Sequence, residues 1–399
     1  MGSSLTKKIN KAENKNKNKN KDKNKNKDKN KDKIKPKSDK KKEKQKENTF
    51  HFDSIHQMNY NIERILNQED NQFYIKQKAL FLGVSESGKS TILKHLQQLH
   101  REFKTEERQE FLKGIHLDII QNMQTLIMAT EQFFNQTLPE ELYEARKEIE
   151  KFTPNQVPSS KTWLNLKPLW QSPLIRSTWE NRYKFSHESR LQINENADYF
   201  FNRLNYFQQL EYLPTNEDIL KSFIPTTDLS KQTLRFNKIK WEFFDLGGSR
   251  NTRNKWPKFY SDTDVLLFVV GLSEFNRNLR EVNGENRIRE SISLFSQIYN
   301  LPWFVKSEIV IIFNKVDLFT KKIETENVKN FFSEYNGNEN FLESVEFFKT
   351  LFIKNLYTED QKLRKIHFFL TCALDQNSIS TTFDAITQII LQKLSSQKN

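Results

Sequence analysis

Residues 83–91 read GVSESGKST, the spacing G-x-x-x-x-G-K-[ST], directly after the apolar run 79–82 and at the start of a helical pattern. That order suits phosphate binding, because glycines let main-chain N–H groups approach anionic oxygens and a helix N-terminus adds a positive dipole. Lys89 can reach a β- and a γ-phosphate, and Ser90 can offer its hydroxyl oxygen to Mg²⁺; Gly83, Glu86, Ser87, Gly88 and Thr91 complete the loop.

Two more loops name the rest of a ligand. Asn314-Lys315-Val316-Asp317 follows the apolar run 308–313. A carboxylate at Asp317 accepts two hydrogen bonds from the N1–H and exocyclic amine of guanine, a pattern adenine does not present. Thr371-Cys372-Ala373 follows the last β-type run and brings a main-chain amide near Ala373 to the guanine O6. Asp245-Leu246-Gly247-Gly248 suits a water-mediated Mg²⁺ contact through Asp245, with the Gly248 amide toward a γ-phosphate; Thr226 is the second candidate Mg²⁺ hydroxyl. Each loop alone is also an ordinary turn. In this order, each after a strand, they specify a guanine nucleotide, GTP or GDP, with Mg²⁺.

The elements that must hold these loops are β-type runs at 79–82, 240–244, 264–270, 308–313 and 365–370, alternating with amphipathic helices at 89–100, 285–299 and 382–394. Such alternation predicts a mostly parallel sheet with helices on both faces and ligands at the C-terminal strand ends. An insert at 105–218 interrupts the sheet. Phe111, Ile115, Ile119, Met123 and Ile127 recur at helical spacing there, and 197–207 reads as an aromatic-rich helix, so the insert is predicted to be an all-helical domain. The α/β domain then comprises 77–104 and 219–399. Ile62, Ile65, Leu66 and Phe73 predict an amphipathic helix over 49–76.

Charge narrows the function classes. The formal net charge is +13, and residues 1–48 hold 20 Lys against 7 Asp or Glu, while the remainder holds 44 basic and 44 acidic residues. A neutral globule argues against nucleic acid as a partner, and the Lys/Asn-rich tail, predicted disordered, lacks aromatics for base stacking. Cys372 is the single cysteine, which excludes an intrachain disulfide and points to a reducing, cytosolic compartment. No apolar run approaches the length of a bilayer span.

The chain resembles the α subunits of heterotrimeric G proteins from about Asn61 onward. The resemblance is carried by GVSESGKST, DILKSFIPTT at 218–227, DLGGSR at 245–250, ENRIRES at 285–291, NKVD and TCAL at 371–374. It implies a Ras-like P-loop GTPase domain with an inserted helical domain and an N-terminal helix, GTPase activity, switch segments near 218–228, 245–260 and 274–287, and a role as a GTP/GDP switch in receptor signalling. Two positions depart from the family pattern. Phe223 stands where the family carries its catalytic arginine, and Ser249 where it carries the glutamine that orients water. Phenylalanine has no charge and serine lacks the paired amide, so very slow GTP hydrolysis is expected; Lys221 supplies only a flexible point charge nearby. The alternative is a non-catalytic pseudo-GTPase that scaffolds partners.

The implied partners are the Gβγ dimer, a G protein-coupled receptor and an effector. Arg250, Lys255 and Trp256 match the family's Gβγ-facing segment, which Pro257 interrupts, and the C-terminus ends in polar residues where relatives carry an apolar tip. Met1-Gly2-Ser3-Ser4-Leu5-Thr6 fits the N-myristoylation pattern on Gly2. One acyl chain binds membranes marginally, so the Lys-rich tail is the expected second signal, placing the protein peripherally on the cytoplasmic face of the plasma membrane.

Overall fold

The computed structural model describes residues 75–226, 229–338, 340–354, 356 and 364–396. Gly2, the Lys/Asn-rich tail and nearly all of the expected helix at 49–76 lie outside them. The last two residues of that expected helix, Ile75 and Lys76, instead open a strand.

Six strands form one sheet: β1 (Ile75–Leu82), β2 (Ser230–Phe236), β3 (Ile239–Asp245), β4 (Val265–Gly271), β5 (Glu308–Asn314) and β6 (Ile366–Leu370). Their order is β2-β3-β1-β4-β5-β6, with β2 antiparallel to β3 and every other pair parallel. β4 is apolar throughout and every residue in it is buried, as a parallel strand covered on both faces requires. β2 is absent from the runs that the sequence pattern marks as strands. Its sequence SKQTLRF alternates polar residues outward and buries only Leu234 and Phe236, the signature of an edge strand.

Twelve α-helices are present among the described residues. α1 (Lys89–His100) leaves the phosphate loop; α2 (Thr105–Met128), α3 (Tyr143–Glu150), α4 (Ser160–Gln171), α5 (Pro173–Glu180), α6 (Ala197–Phe201), α7 (Leu204–Phe207) and α8 (Asn216–Lys221) follow before β2. α9 (Arg287–Tyr299), α10 (Val316–Lys322), α11 (Phe341–Lys354) and α12 (Gln376–Ser396) flank the later strands. The single helix expected at 197–207 is two, because the backbone turns at Arg203, with φ −118° and ψ 15°, after Asn202 has accepted from Trp170 Nε1 at 2.9 Å. The expected boundary at residue 218 falls inside α8. Pro257 sits within a 3-10 helix, Arg250–Phe259.

Three apolar clusters hold these elements. On one sheet face α1 and α12 bury Ile92, Leu96, Phe383 and Ile386 against Trp241 and Phe243; on the other, α9 and α11 bury Phe295 and Phe352 against Phe268 and Phe313. The third lies in the insert, where Ile115, Ile119, Met123 and Ile127 of α2 pack on Trp163, Leu166 and Phe200. Four of the five residues expected on one face of α2 form a buried stripe, while Phe111 is half-buried outside it, against Phe103.

Candidate nucleotide-binding site

The strand ends and the insert enclose one cleft lined by the loops that the motifs single out. Ser85, Glu86, Gly88, Lys89, Ser90, Thr91, Phe223, Thr226, Gly248, Ser249, Asn314, Lys315, Asp317, Cys372 and Ala373 all reach it. Gly83, Ser87, Asp245 and Thr371 stand behind as supports.

The phosphate loop is locally demanding. Gly88 has φ +98°, a region that favours glycine, and a Cβ there would collide with the Asn314 side chain. A Cβ on Gly248 would lie 2.6 Å from both Gly83 O and Ser85 N, so only glycine lets these two loops touch. Lys89 is 5% exposed; its Nζ donates to Gly83 O at 3.0 Å and Val84 O at 2.8 Å, and burial lowers its pKa to about 8. Two carbonyls in a buried pocket are a modest partner set for an ammonium, which suits it to an incoming anion.

Beside Lys89, Ser90 Oγ lies 2.7 Å from Thr226 Oγ1 and donates to Asp245 Oδ2 at 2.5 Å. Burial raises the Asp245 carboxyl pKa, and its Oδ1 has no hydrogen-bond partner among the described residues.

At the base end Asn314 joins two loops, its Nδ2 donating to Ser87 O at 3.0 Å while its Oδ1 accepts from Ala373 N at 3.0 Å. His95 Nδ1 lies 2.7 Å from Ala373 O, fixing the same loop from below. Lys315, with φ +61°, turns the chain into α10 and pairs with Glu274 at 2.6 Å. Burial raises the Cys372 thiol to about 11, with the neighbouring Asp317 carboxylate adding to it.

Position 223 is set by α8. Thr215 caps that helix by accepting from Asp218 N, and the buried Asp218 takes the hydroxyls of Tyr199 at 2.8 Å and Tyr212 at 2.6 Å. Phe223 N then donates to Asp118 Oδ2 at 3.5 Å. Lys221 also lines the cleft, pairing with the exposed Glu217 at 2.8 Å and covering the Tyr199 ring at 4.0 Å. Ser249 Oγ lies 3.1 Å from Thr252 Oγ1, itself donating to Gly247 O. The 3-10 segment after it is fixed by Trp256 Nε1 on Gly247 O at 2.9 Å and by Arg250 and Arg253 on Glu290.

Sequence reasoning missed the charged network that spans the cleft. Glu195 and Asn194 of the insert and Arg277 of the loop after β4 also line it. Glu195 pairs with Arg277 at 2.6 Å and Lys322 at 3.6 Å, and Gln192 Nε2 donates to Asn278 O at 2.7 Å. Burial works to raise the Glu195 and Glu274 carboxyls, yet the facing Arg277, Lys315 and Lys322 outweigh it and hold both below the usual range. No local motif marks these residues; they meet only once the insert folds over the sheet.

A mostly parallel sheet with a phosphate loop after its first strand, a guanine-type loop after the fifth and a helical insert between define a Ras-like nucleotide-binding domain with an added helical domain. The profile of the G-protein alpha subunit family matches residues 56–390. The chain is 33% identical over 341 residues to the guanine nucleotide-binding protein alpha-15 subunit of Caenorhabditis briggsae, covering 82% of this chain and 91% of that protein. It is 34% identical over 337 residues to the alpha-6 subunit of Dictyostelium discoideum, covering 83% and 93%, and 32% identical over 325 residues to an alpha subunit of Emericella nidulans, covering 79% and 88%. The chain belongs to the G-protein alpha subunit family and is a guanine nucleotide-binding subunit of the heterotrimeric type. Members of that family are GTPases that work with Gβγ.

Proposed function

We propose that this subunit binds GTP and GDP with Mg²⁺, hydrolyses GTP very slowly, and so signals through a long-lived GTP state. The reading is carried by one contrast within the cleft. The phosphate, metal and base positions all hold competent side chains, whereas the two positions that act only in hydrolysis hold Phe223 and Ser249.

The donor set fits Mg²⁺. Two hydroxyls and a carboxylate converge at Ser90, Thr226 and Asp245, and the buried, unpartnered Asp245 Oδ1 suits a cation's water shell. When bound, the ion neutralises phosphate charge. Lys89 and the Gly88 and Gly248 amides supply the remaining positive contacts, and Asp317 selects guanine.

Hydrolysis needs more than binding: a guanidinium on the transferring phosphoryl and a side chain that aligns water. Ser249 is short and already engaged with Thr252. The wider role follows from the family: exchange of GDP for GTP driven by a receptor, release of Gβγ and engagement of an effector. Gly2 acylation and the Lys-rich tail hold the subunit at the cytoplasmic face of the plasma membrane.

The test is to load the purified chain with γ-labelled GTP and follow retained nucleotide and released phosphate over hours. Retained GTP with little phosphate supports the reading; rapid phosphate release refutes slow hydrolysis, and absence of GTP binding refutes the whole. A scaffold without nucleotide would be the outcome in the last case.

A further inference from the structure

Where residue 223 offers no cation, the loop after β4 brings one. Arg280 donates through Nε to Glu86 Oε1, and its guanidinium carbon lies 5.6 Å from the centre of the Phe223 ring. The next residue, Glu281, accepts from Ser85 Oγ at 3.3 Å, so this loop rests on the phosphate loop at two consecutive positions. Glu86 and Phe223 both line the cleft, and Arg280, outside that lining, contacts them both from behind, seated on one and tethered to the other. Arg287 Nη1 takes the second oxygen of Glu86 at 3.0 Å. Arg287 is spent there, being buried and bound also to Glu274 and Gln192. Arg280 differs: its side chain is 36% exposed and its Nη atoms donate to no described residue.

We propose that Arg280 is the phosphate-site arginine of this chain, delivered from the loop after β4 instead of from position 223, with the Phe223 ring as its platform. A guanidinium over an aromatic face is attracted by the ring quadrupole and keeps its in-plane donors free. Those donors reach the phosphoryl oxygens when the loop settles on nucleotide. In hydrolysis the water oxygen bonds to the γ-phosphorus, the bond to the β,γ-bridging oxygen breaks with its electron pair staying on GDP, and the water proton leaves on the phosphate. Arg280 offsets the charge that gathers on the oxygens during that exchange. With Ser249 in place the rate stays low, and Arg280 carries what remains. The proposal rests on reading the cleft as a GTP site.

The experiment uses the full chain and three readouts: single-turnover phosphate release, GDP affinity, and affinity for GDP with aluminium fluoride, which mimics the phosphoryl in transfer. Arg280→Ala is expected to slow release and weaken the aluminium fluoride complex by about tenfold or more, with GDP affinity held within roughly threefold. Phe223→Leu gives an intermediate loss, and adding Phe223→Arg to Arg280→Ala restores both readouts. Where release is too slow to time, the aluminium fluoride affinity decides. An Arg280→Ala protein that releases phosphate and binds aluminium fluoride as the parent does overturns the proposal, whether or not it also loses GDP faster. A parent chain that binds no guanine nucleotide fails the GTP-site reading itself, and the proposal with it.

Discussion

The two ends of the cleft are built to different standards. At the base end Asn314, Lys315 and Ala373 are cross-tied by hydrogen bonds and by a buried ion-pair network, with Asp317 exposed beside them at the cleft. At the phosphate end the cleft is lined by the binding loops too, but the ring of Phe223 and the hydroxyl of Ser249 stand where the proposed function places the hydrolytic groups. Recognition and turnover rest on separate side chains, so one can decay while the other is kept.

The contrast breaks most visibly if the phosphate end is repaired. Phe223→Arg with Ser249→Gln restores both groups, and arginine in this position is worth about 10³- to 10⁵-fold in this reaction class. Single-turnover phosphate release is expected to rise at least about 10³-fold, with GTP affinity little changed. No rise would mean that the slow step lies elsewhere, for example in loop closure.

The base end sharpens the contrast from the other side. Asp317→Ala removes the acceptor for two guanine donors; charge-assisted hydrogen bonds are worth about 1.5–3 kcal/mol each. GTP affinity is expected to fall on the order of 100-fold and the preference over ATP to collapse, while the hydrolysis rate of what binds stays as slow as before. Competition binding with the two nucleotides measures both. A preserved preference for guanine would move base selection away from Asp317.

How much of this was legible depended on range. The phosphate, Asp245 and Asn314 loops are read from local spacing because main-chain geometry and a few polar tips define them; the cleft brings them together. Strands β4 and β5 were legible because their apolar runs are buried on both faces, and β1, β3 and β6 because their apolar residues cluster even where one face is only partly covered. β2 was not, since an edge strand shows only Leu234 and Phe236 against polar neighbours. The split between α6 and α7 falls where Asn202 accepts a hydrogen bond from Trp170, 32 residues away, which no local pattern reveals. Arg277, Arg280 and Glu195 escaped for the same reason in stronger form: a charged residue in an irregular loop reads as surface until its partner arrives from a distant segment.

The last expected effect concerns protons, and it again separates the two ends. At the base end Glu195 and Glu274 are held below the usual range, so they stay charged through mildly acidic pH. Behind the phosphate end, burial pushes the Asp118 carboxyl up to about 6, against the hydrogen bonds from Asn194, Asn122 and Phe223 N and the more distant charge of Arg280. A carboxyl raised from 3.8 to about 6 holds its proton more tightly in the folded chain than in the unfolded one. Its contribution is therefore full below pH 3.8 and is lost as pH rises through about 6, by roughly 3 kcal/mol at most. Asp118→Asn cannot titrate. The variant is expected to be less stable than the parent at about pH 4, where both groups are neutral but one amide hydrogen faces the donors of Asn122 and Asn194, and the gap should narrow by about pH 7. Thermal midpoints across that range test this, and parallel curves for the two proteins would place the phosphate end's support on groups other than Asp118.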